Sequence, residues 1–78
     1  IGYCLYEILS TCPADRFEIV KDGKVYKSGE IHESGDFYGG AFNTYGLEPG
    51  IYQVIVYKGG EVVGKLPLRI ASYKKYYP

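Results

Sequence analysis

The stretch YGLEPGIYQVIVYKGGEVVG, residues 45–64, contains a turn, a strand, a glycine turn and the start of a second strand. Its LEPG sequence, residues 47–50, predicts a tight turn, because proline fixes φ and glycine tolerates conformations that other residues avoid. Apolar residues then alternate over residues 51–57, and this period of two predicts a strand. Both faces of that strand carry apolar side chains, although a chain of 78 residues can bury only a small core. We therefore expect one of the two faces to contact another molecule.

The length of the loop after this strand decides which face forms the core. A two-residue loop, 59–60, would also place two basic side chains of the next strand on the core face. A three-residue loop, 58–60, makes that face wholly apolar, and we predict this loop. The predicted cross-strand pairs are Val56 with Val62 and Tyr52 with Leu66. The predicted core face consists of Tyr52, Val54, Val56, Val62, Leu66, Leu68 and Ile70.

The opposite face of this hairpin is the predicted interaction face, which consists of Ile51, Ile55, Tyr57 and Val63. Pro67 predicts that residues 61–70 form an edge strand, because proline cannot donate to a β-ladder. An edge strand beside an apolar face offers both backbone groups and apolar area to a neighbour. We predict that a second protein molecule, most simply another copy in a homo-oligomer, covers part of this face or edge. The Tyr- and Lys-rich C-terminal tail, residues 71–78, is the alternative cover within the chain.

Two further segments carry strand patterns. In RFEIVKDGKVYKSG, residues 16–29, the Asp-Gly pair at 22–23 predicts a hairpin with a type I′ turn. That turn sets two cross-strand pairs, Val20 with Val25 and Glu18 with Lys27. The segment FYGGAFN, residues 37–43, predicts a strand broken by a bulge or bend at its Gly-Gly pair, or else a loop.

The N-terminal segment YCLYEILSTCP, residues 3–13, fits both a strand and a helical spacing. We predict a strand through about Ile8, followed by an irregular reversal that ends at Pro13. A domain this small usually needs a staple, and we predict a disulfide between Cys4 and Cys12 within one chain. The disulfide requires the chain to bend back between Ile8 and Cys12. A bridged pair favours an exported, extracellular or cell-surface protein, and two free thiols in an intracellular protein are the alternative.

Composition and spacing argue against several function classes. Nine Lys and Arg balance nine Asp and Glu, so no net field would hold a nucleic acid. No apolar run is long enough to span a membrane. The one histidine, His32, lies among Glu30, Glu33 and Asp36, a sparse set for a metal site. No nucleophile–base pair, phosphate-binding loop or thioredoxin-type cysteine motif occurs, so we expect neither catalysis, a metal nor a cofactor.

The order of these motifs resembles transthyretin-like or carboxypeptidase-regulatory-like β-sandwich modules. The matching residues are Asp22, Gly23, Gly35, Phe37, Leu47, Pro49, Gly50, Tyr52, Val54 and Val56. The same order is similar to the C-terminal sorting domains of bacterial type IX secretion cargo and, more loosely, to fibronectin type III domains. The resemblance covers Arg16 to Ile70, and the chain length and strand signals predict one all-β domain over residues 1–78. We expect a small antiparallel immunoglobulin-like or transthyretin-like sandwich of six or seven short strands.

The turn before the central strand is the predicted structural corner, formed by Leu47, Pro49, Gly50 and Tyr52. Tyr52 is expected to lay its ring over the core while its hydroxyl finds a backbone partner.

These observations predict a non-catalytic extracellular module that acts through protein–protein contacts in assembly, adhesion or secretion. A small secreted inhibitor or toxin-like ligand of an enzyme is the second hypothesis, with residues 8–12 as the inserting loop. A sugar- or ion-binding domain near His32 is the third. Size in solution separates the first two, because assembly predicts a concentration-dependent oligomer and inhibition predicts a monomer that blocks a hydrolase.

Overall fold

A computed structural model describes residues 5–71 of the chain, with side chains from residue 7 onward. These residues form seven strands and no helix. The strands are β1 (Leu5–Ser10), β2 (Arg16–Lys21), β3 (Lys24–Glu30), β4 (His32–Ser34), β5 (Phe37–Asn43), β6 (Gly50–Lys58) and β7 (Glu61–Ile70). They pair antiparallel in a three-stranded sheet of order β1-β5-β4 and a four-stranded sheet of order β3-β2-β6-β7. The predicted all-β class with six or seven strands is confirmed.

The core lies between the two sheets. Its buried residues are Ile8, Ala14, Phe17, Ile19, Ile31, Phe42, Tyr52, Val54 and Val56. Alternate residues of β6 contribute to this core, as expected for a strand with one face turned inward. The chain crosses from the four-stranded to the three-stranded sheet at Ile31, which separates β3 from β4. This is the shortest of the three connections between the sheets, since residues 11–15 join β1 to β2 and residues 44–49 join β5 to β6.

The ring of Phe17 sits against two glycines on different strands, and it is 1% exposed. A Cβ on Gly29 of β3 would lie 2.6 Å from the ring atom Cε1. A Cβ on Gly40 of β5 would lie 3.2 Å from the same atom and 2.8 Å from the carbonyl oxygen of Glu30. Contacts this short are not tolerated in a packed interior, so both positions require glycine.

This packing corrects the prediction for residues 37–43. The sequence predicted a break at the Gly-Gly pair, but β5 is a continuous central strand paired on both sides without a register shift. The glycine at position 40 lets the strand approach the opposite sheet closely, which is the other use of glycine in strands.

The first hairpin has the predicted turn. Asp22 and Gly23 have φ values of 52° and 77°, which a type I′ turn requires, and Val20 lies opposite Val25. The predicted pairing of Glu18 with Lys27 is wrong, because Glu18 lies opposite Ser28. A bulge causes the difference, since Tyr26 has no partner on β2 and shifts the rest of β3 by one residue.

The second hairpin corrects the predicted loop. Its loop has two residues, Gly59 and Gly60, with φ values of 59° and 86°, and Tyr57 lies opposite Val62. A bulge at Val63, which has no partner on β6, then shifts the register by one residue. The predicted cross-strand pairs are therefore replaced by Val56 with Gly64, Val54 with Leu66 and Tyr52 with Leu68.

The bulge preserves most of the predicted core face. Leu66 and Leu68 lie opposite the buried residues Val54 and Tyr52 and so share their face, whereas Val62 pairs with Tyr57 on the other face. Leu66 is nevertheless 55% exposed, so its predicted burial in the core is wrong. The expected placement of Val62 in the core is also wrong, and this residue is 49% exposed. β7 is an edge strand, as Pro67 predicted.

The N-terminal segment forms a strand, and its predicted end at Ile8 is wrong. β1 continues to Ser10, which lies opposite Tyr38 of β5. The chain turns only after this residue, where the Ser10 hydroxyl donates to the carbonyl of Cys12 and accepts from its N–H. The predicted disulfide required the chain to reverse between Ile8 and Cys12. Because β1 extends to Ser10, only the residues after Ser10 take part in the turn.

Replacing Gly40 by alanine is expected to lower the free energy of unfolding by about 1–3 kcal/mol, because the added Cβ meets a backbone carbonyl. The matched control is Gly64→Ala in β7, where a Cβ has nothing within 4 Å, and its change should stay within about 0.5 kcal/mol. Urea unfolding followed by circular dichroism measures both values. Equal losses in the two variants would contradict the packing role of Gly40.

Candidate interaction surface

Three residues of the predicted interaction face, Ile51, Ile55 and Tyr57, lie on the outer side of the four-stranded sheet, and the fourth, Val63, is the unpaired residue of the bulge in β7. Ile51 is 60% exposed and Val63 is 47% exposed, while Ile55 and Tyr57 are half-buried. The three residues of β6 alternate with its buried residues and therefore share one outer face.

The neighbouring edge strand adds basic residues to this face. Lys65 lies opposite Ile55, and Arg69 lies opposite Ile51. Residues opposite each other in an antiparallel pair project to the same side of the sheet. The outer face is therefore an apolar strip of β6 with a basic border on β7.

A polar cluster closes one end of this strip. The Tyr57 hydroxyl donates a hydrogen bond to Oε1 of Glu18 at 2.8 Å, and Nη1 of Arg16 donates to Oε2 of the same carboxylate at 3.0 Å. The guanidinium carbon of Arg16 also lies 4.6 Å from the centre of the Tyr57 ring. Cation–π contact and two charge-assisted hydrogen bonds hold the three side chains in one arrangement.

The cluster changes the acidity of two of its members. The hydrogen bond from Tyr57, and then the one from Arg16, holds the pKa of the Glu18 carboxyl below its ordinary value. The same hydrogen bond raises the pKa of the Tyr57 hydroxyl, because it favours the protonated phenol beside a carboxylate. Tyr57 is the one residue of the predicted interaction face with a polar side-chain group, and this hydroxyl is already hydrogen-bonded to Glu18 within the chain.

Of the predicted corner residues, Leu47 and Pro49 lie in the loop between β5 and β6, and Gly50 and Tyr52 lie at the start of β6. Tyr52 is 1% exposed, and its hydroxyl donates to the carbonyl oxygen of Glu48 at 2.7 Å. The N–H of Leu47 donates to the carbonyl of Thr44 at 3.0 Å, and the Leu47 side chain packs against the core. The ring of Tyr26 meets the Tyr52 ring edge-on, with centroids 5.4 Å apart. Tyr52 is therefore inaccessible to a ligand, and it secures the loop to the core.

Asp15 makes contacts that the sequence did not point to. Its carboxylate accepts a hydrogen bond from the N–H of Gly59 at 2.9 Å. Its N–H donates to the carbonyl of Tyr57, and its own carbonyl accepts from the N–H of Ile31, both at 2.9 Å. Asp15 thus ties the β6–β7 turn to the crossing between the sheets. Its position just before β2 gave a weak signal, since Asp commonly accepts from turn N–H groups.

A groove of about 300 Å³ between β1 and β7 was also missed. Its lining combines the β6–β7 hairpin with residues of β1 and β5 from the other sheet, so no local pattern could indicate it. The lining residues are Glu7, Ile8, Leu9, Phe42, Val54, Leu66, Pro67 and Leu68.

The structure does not assemble the acidic residues around His32 into a metal site. Nε2 of His32 lies 3.5 Å from Oε1 of Glu30, and both side chains are largely exposed. Glu33 and Asp36 are exposed as well. Across the described side chains, no group of three or more His, Cys, Asp or Glu residues is placed to hold a metal ion.

Two expectations fall partly or wholly on residues outside the described range. Cys12 is exposed with a free thiol, and Cys4 lies outside the described residues, so the disulfide stays a prediction. Of the predicted C-terminal tail, only Ala71 is described, and residues 72–78 lie outside the range.

Comparisons of the chain with protein-family models, with curated proteins and with solved structures gave no match. Within residues 5–71 there is no helix of the length and apolarity that crossing a bilayer requires. The transthyretin-like resemblance therefore stays a prediction based on the motifs between Asp22 and Val56.

Replacing Tyr57 by phenylalanine is expected to raise the pKa of the Glu18 carboxyl, because it removes the largest cause of the lowered value. The pKa should stay below its ordinary value as long as Arg16 still donates. A lowered folded-state pKa adds stability above the unfolded-state pKa, and this contribution is lost as the pH falls through the folded-state value. The variant should therefore lose less stability than the wild type between neutral and acidic pH.

Carboxyl carbon shifts followed by NMR during a pH titration measure this change. Tyr26→Phe is the matched control, since Tyr26 contacts Tyr52 and not Glu18. An unchanged Glu18 titration in Tyr57→Phe would show that the hydrogen bond does not set its acidity.

Proposed function

We propose that this chain is a non-catalytic, exported β-sandwich module that acts by binding protein through the outer face of its β6–β7 hairpin. One observation carries the proposal: the described chain exposes as many large apolar side chains as its core contains residues. These exposed residues are Leu9, Val25, Tyr26, Phe37, Tyr45, Ile51, Val62, Val63 and Leu66. Scattered exposed apolar residues are ordinary, but a concentration of them on one element indicates an interaction site.

The β6–β7 hairpin has that concentration. Four of the exposed residues lie on it: Ile51 and Val62 on the outer face, Val63 at the bulge, and Leu66 on the inner face. β7 is the longest strand, with ten residues, and it is an edge strand. Pro67 and Lys65 protect the backbone of this edge, so its apolar side chains rather than its ladder groups offer the contact. An apolar centre with a charged border also matches the composition of protein interfaces.

Export is supported by the small size of the domain and its two cysteines, which fit an oxidising compartment better than the cytosol. The sheet scaffold supports binding rather than catalysis, because its described surface offers apolar area and backbone edges rather than paired acid–base groups. The simplest partner is another copy of the chain, which makes assembly the leading role.

One observation favours the inhibitor as a second candidate. Leu9 is 65% exposed, and the chain after it is held in a turn by two hydrogen bonds between Ser10 and Cys12. A fixed turn beside an exposed apolar side chain is a form in which inhibitors enter a cleft. A monomer that blocks a hydrolase through residues 8–12 would replace the assembly role with this one.

Replacing Ile55 and Val63 together by lysine is expected to leave the domain folded and to remove the association that the outer face mediates. Each apolar side chain buried in a contact contributes about 1.5–3 kcal/mol, and a lysine there reverses that contribution. Light scattering coupled to size exclusion, over a range up to millimolar concentration, measures the mass of wild type and variant. Circular dichroism and thermal melting check the fold.

Val25→Lys is the matched control, since Val25 has the same 47% exposure as Val63 but lies on β3, the far edge of the sheet. The control should behave as the wild type. An outer-face variant with unchanged association and unchanged binding to other proteins would contradict the proposed function.

A further inference from the structure

The groove between β1 and β7 exposes the inner face of the sandwich. Val54 on its floor is 5% exposed, whereas Leu66, which lies opposite Val54 on the same face, is 55% exposed. Ile8 and Phe42 of the other sheet also line the floor. The exposure of Leu66 shows that, within the described residues, the three-stranded sheet does not cover the inner side of β7 at this position.

Both strands that border the groove are edges within the described part of the chain. β1 pairs only with β5, and β7 pairs only with β6. Natural edges are commonly protected by proline or lysine, and β7 carries both in Pro67 and Lys65. β1 carries neither. The open side therefore presents one protected and one unprotected edge above an apolar floor.

The two edge strands run in opposite directions. β1 starts at the end of the sandwich where β5 finishes, because Leu5 lies opposite Asn43. β7 finishes at the end where β6 starts, because Ile70 lies opposite Gly50. The short connection from β5 to β6 places these two ends together. β1 therefore runs away from this end of the sandwich, whereas β7 runs toward it.

We propose that a second copy of this chain closes the groove by a two-fold axis parallel to the strands. Rotation about that axis keeps each strand's direction, so β1 meets β7 of the second copy in the antiparallel sense, and β7 meets β1 of the second copy. Each layer of the dimer then joins three strands of one copy to four of the other in a continuous sheet. This inference rests on the proposed function and names the partner and a second surface for it.

The side chains at the two edges are complementary in charge. Ile8 is buried, so the alternation of β1 turns Glu7 to the outer face. Leu66 lies on the inner face of β7, so Lys65 and Arg69 are turned outward. In the joined sheet these outer faces are continuous, and the carboxylate of Glu7 lies beside the basic side chains of the second copy. The described ion pairs leave all three charges uncommitted.

The apolar side of the joint is complementary too. Leu66 and Leu68 of the second copy continue the inner face of β1 beside Ile8, and they cover Leu66 of the first copy. Pro67 withholds one amide donor from the new ladder, which makes burial of the leucines the main source of affinity. In a dimer about this axis, both open edges of each copy are paired, so the assembly closes. The outer faces of both copies stay free for the contacts proposed above.

Leu66→Lys tests the inference by sedimentation equilibrium of the full chain. It is expected to raise the dimer dissociation constant on the order of 100-fold, since each dimer loses two buried leucines. Val25→Lys is the matched control, because Val25 has a similar 47% exposure but lies on β3, at the opposite edge of the sheet from the groove. The control should dissociate as the wild type does.

A charge exchange separates the contact from a folding defect. Glu7→Arg alone and Arg69→Glu alone should each weaken the dimer by roughly 5-fold, as expected for exposed pairs made twice. The double variant Glu7→Arg/Arg69→Glu should recover most of the wild-type affinity. A double variant no better than its single parents would overturn the pairing of β1 with β7.

Two other outcomes would overturn the inference. One is a wild-type chain that is monomeric at millimolar concentration and whose groove binds an apolar dye only after residues 72–78 are deleted, since the cover would then come from the same chain. The other is a Leu66→Lys variant that dimerises as the wild type does. The outer-face variant Ile55→Lys/Val63→Lys should keep the dimer and lose only larger species, so the proposed function and this inference fail separately.

Discussion

The ring of Phe17 is the contact on which the two-layer arrangement depends. It lies in β2, rests against Gly29 of the neighbouring strand and reaches Gly40 in the opposite sheet. Any side chain at either glycine would enter the ring's volume, so the distance between the layers is set by one phenyl group at this point. Phe42 packs against the same ring with centroids 6.0 Å apart. The buried crossing residue Ile31 lies beside Gly40, which joins the chain connection to the same packing unit.

Features of this fold that depend on adjacent residues could be predicted from the sequence, whereas features that depend on contacts between distant residues could not. The turn at Asp22 and Gly23 was predictable, because its φ values depend on two adjacent residues. The continuity of β5 was not, because the reason for Gly40 is a phenyl ring from a strand that lies more than twenty residues earlier. The edge position of β7 followed from Pro67 alone, since a missing donor is tolerated only there.

Bulges account for the register errors. In both hairpins a two-residue glycine-containing turn is followed within a few residues by one unpaired residue, Tyr26 in the first and Val63 in the second. Side-chain alternation therefore predicted correctly that Leu66 and Leu68 share the face of Val54 and Tyr52. The prediction for Val62 was wrong, because Val62 precedes the bulge. The outer residues Ile51 and Val63 could be proposed from that alternation. The groove could not, because it exists only where distant strands meet.

Asp15 has a consequence for how the chain folds. Its three hydrogen bonds join it to residues 31, 57 and 59, so they form only after long loops have closed. The pairing of β1 with β5 is equally non-local, since it joins Leu5 to Asn43 and Ser10 to Tyr38. Folding rates fall as contacts become more distant in sequence, and sandwiches of this kind fold in milliseconds to seconds. Until β6 pairs with β2, one edge of this apolar strand is open, and transiently exposed edges of this kind make a folding intermediate prone to aggregate.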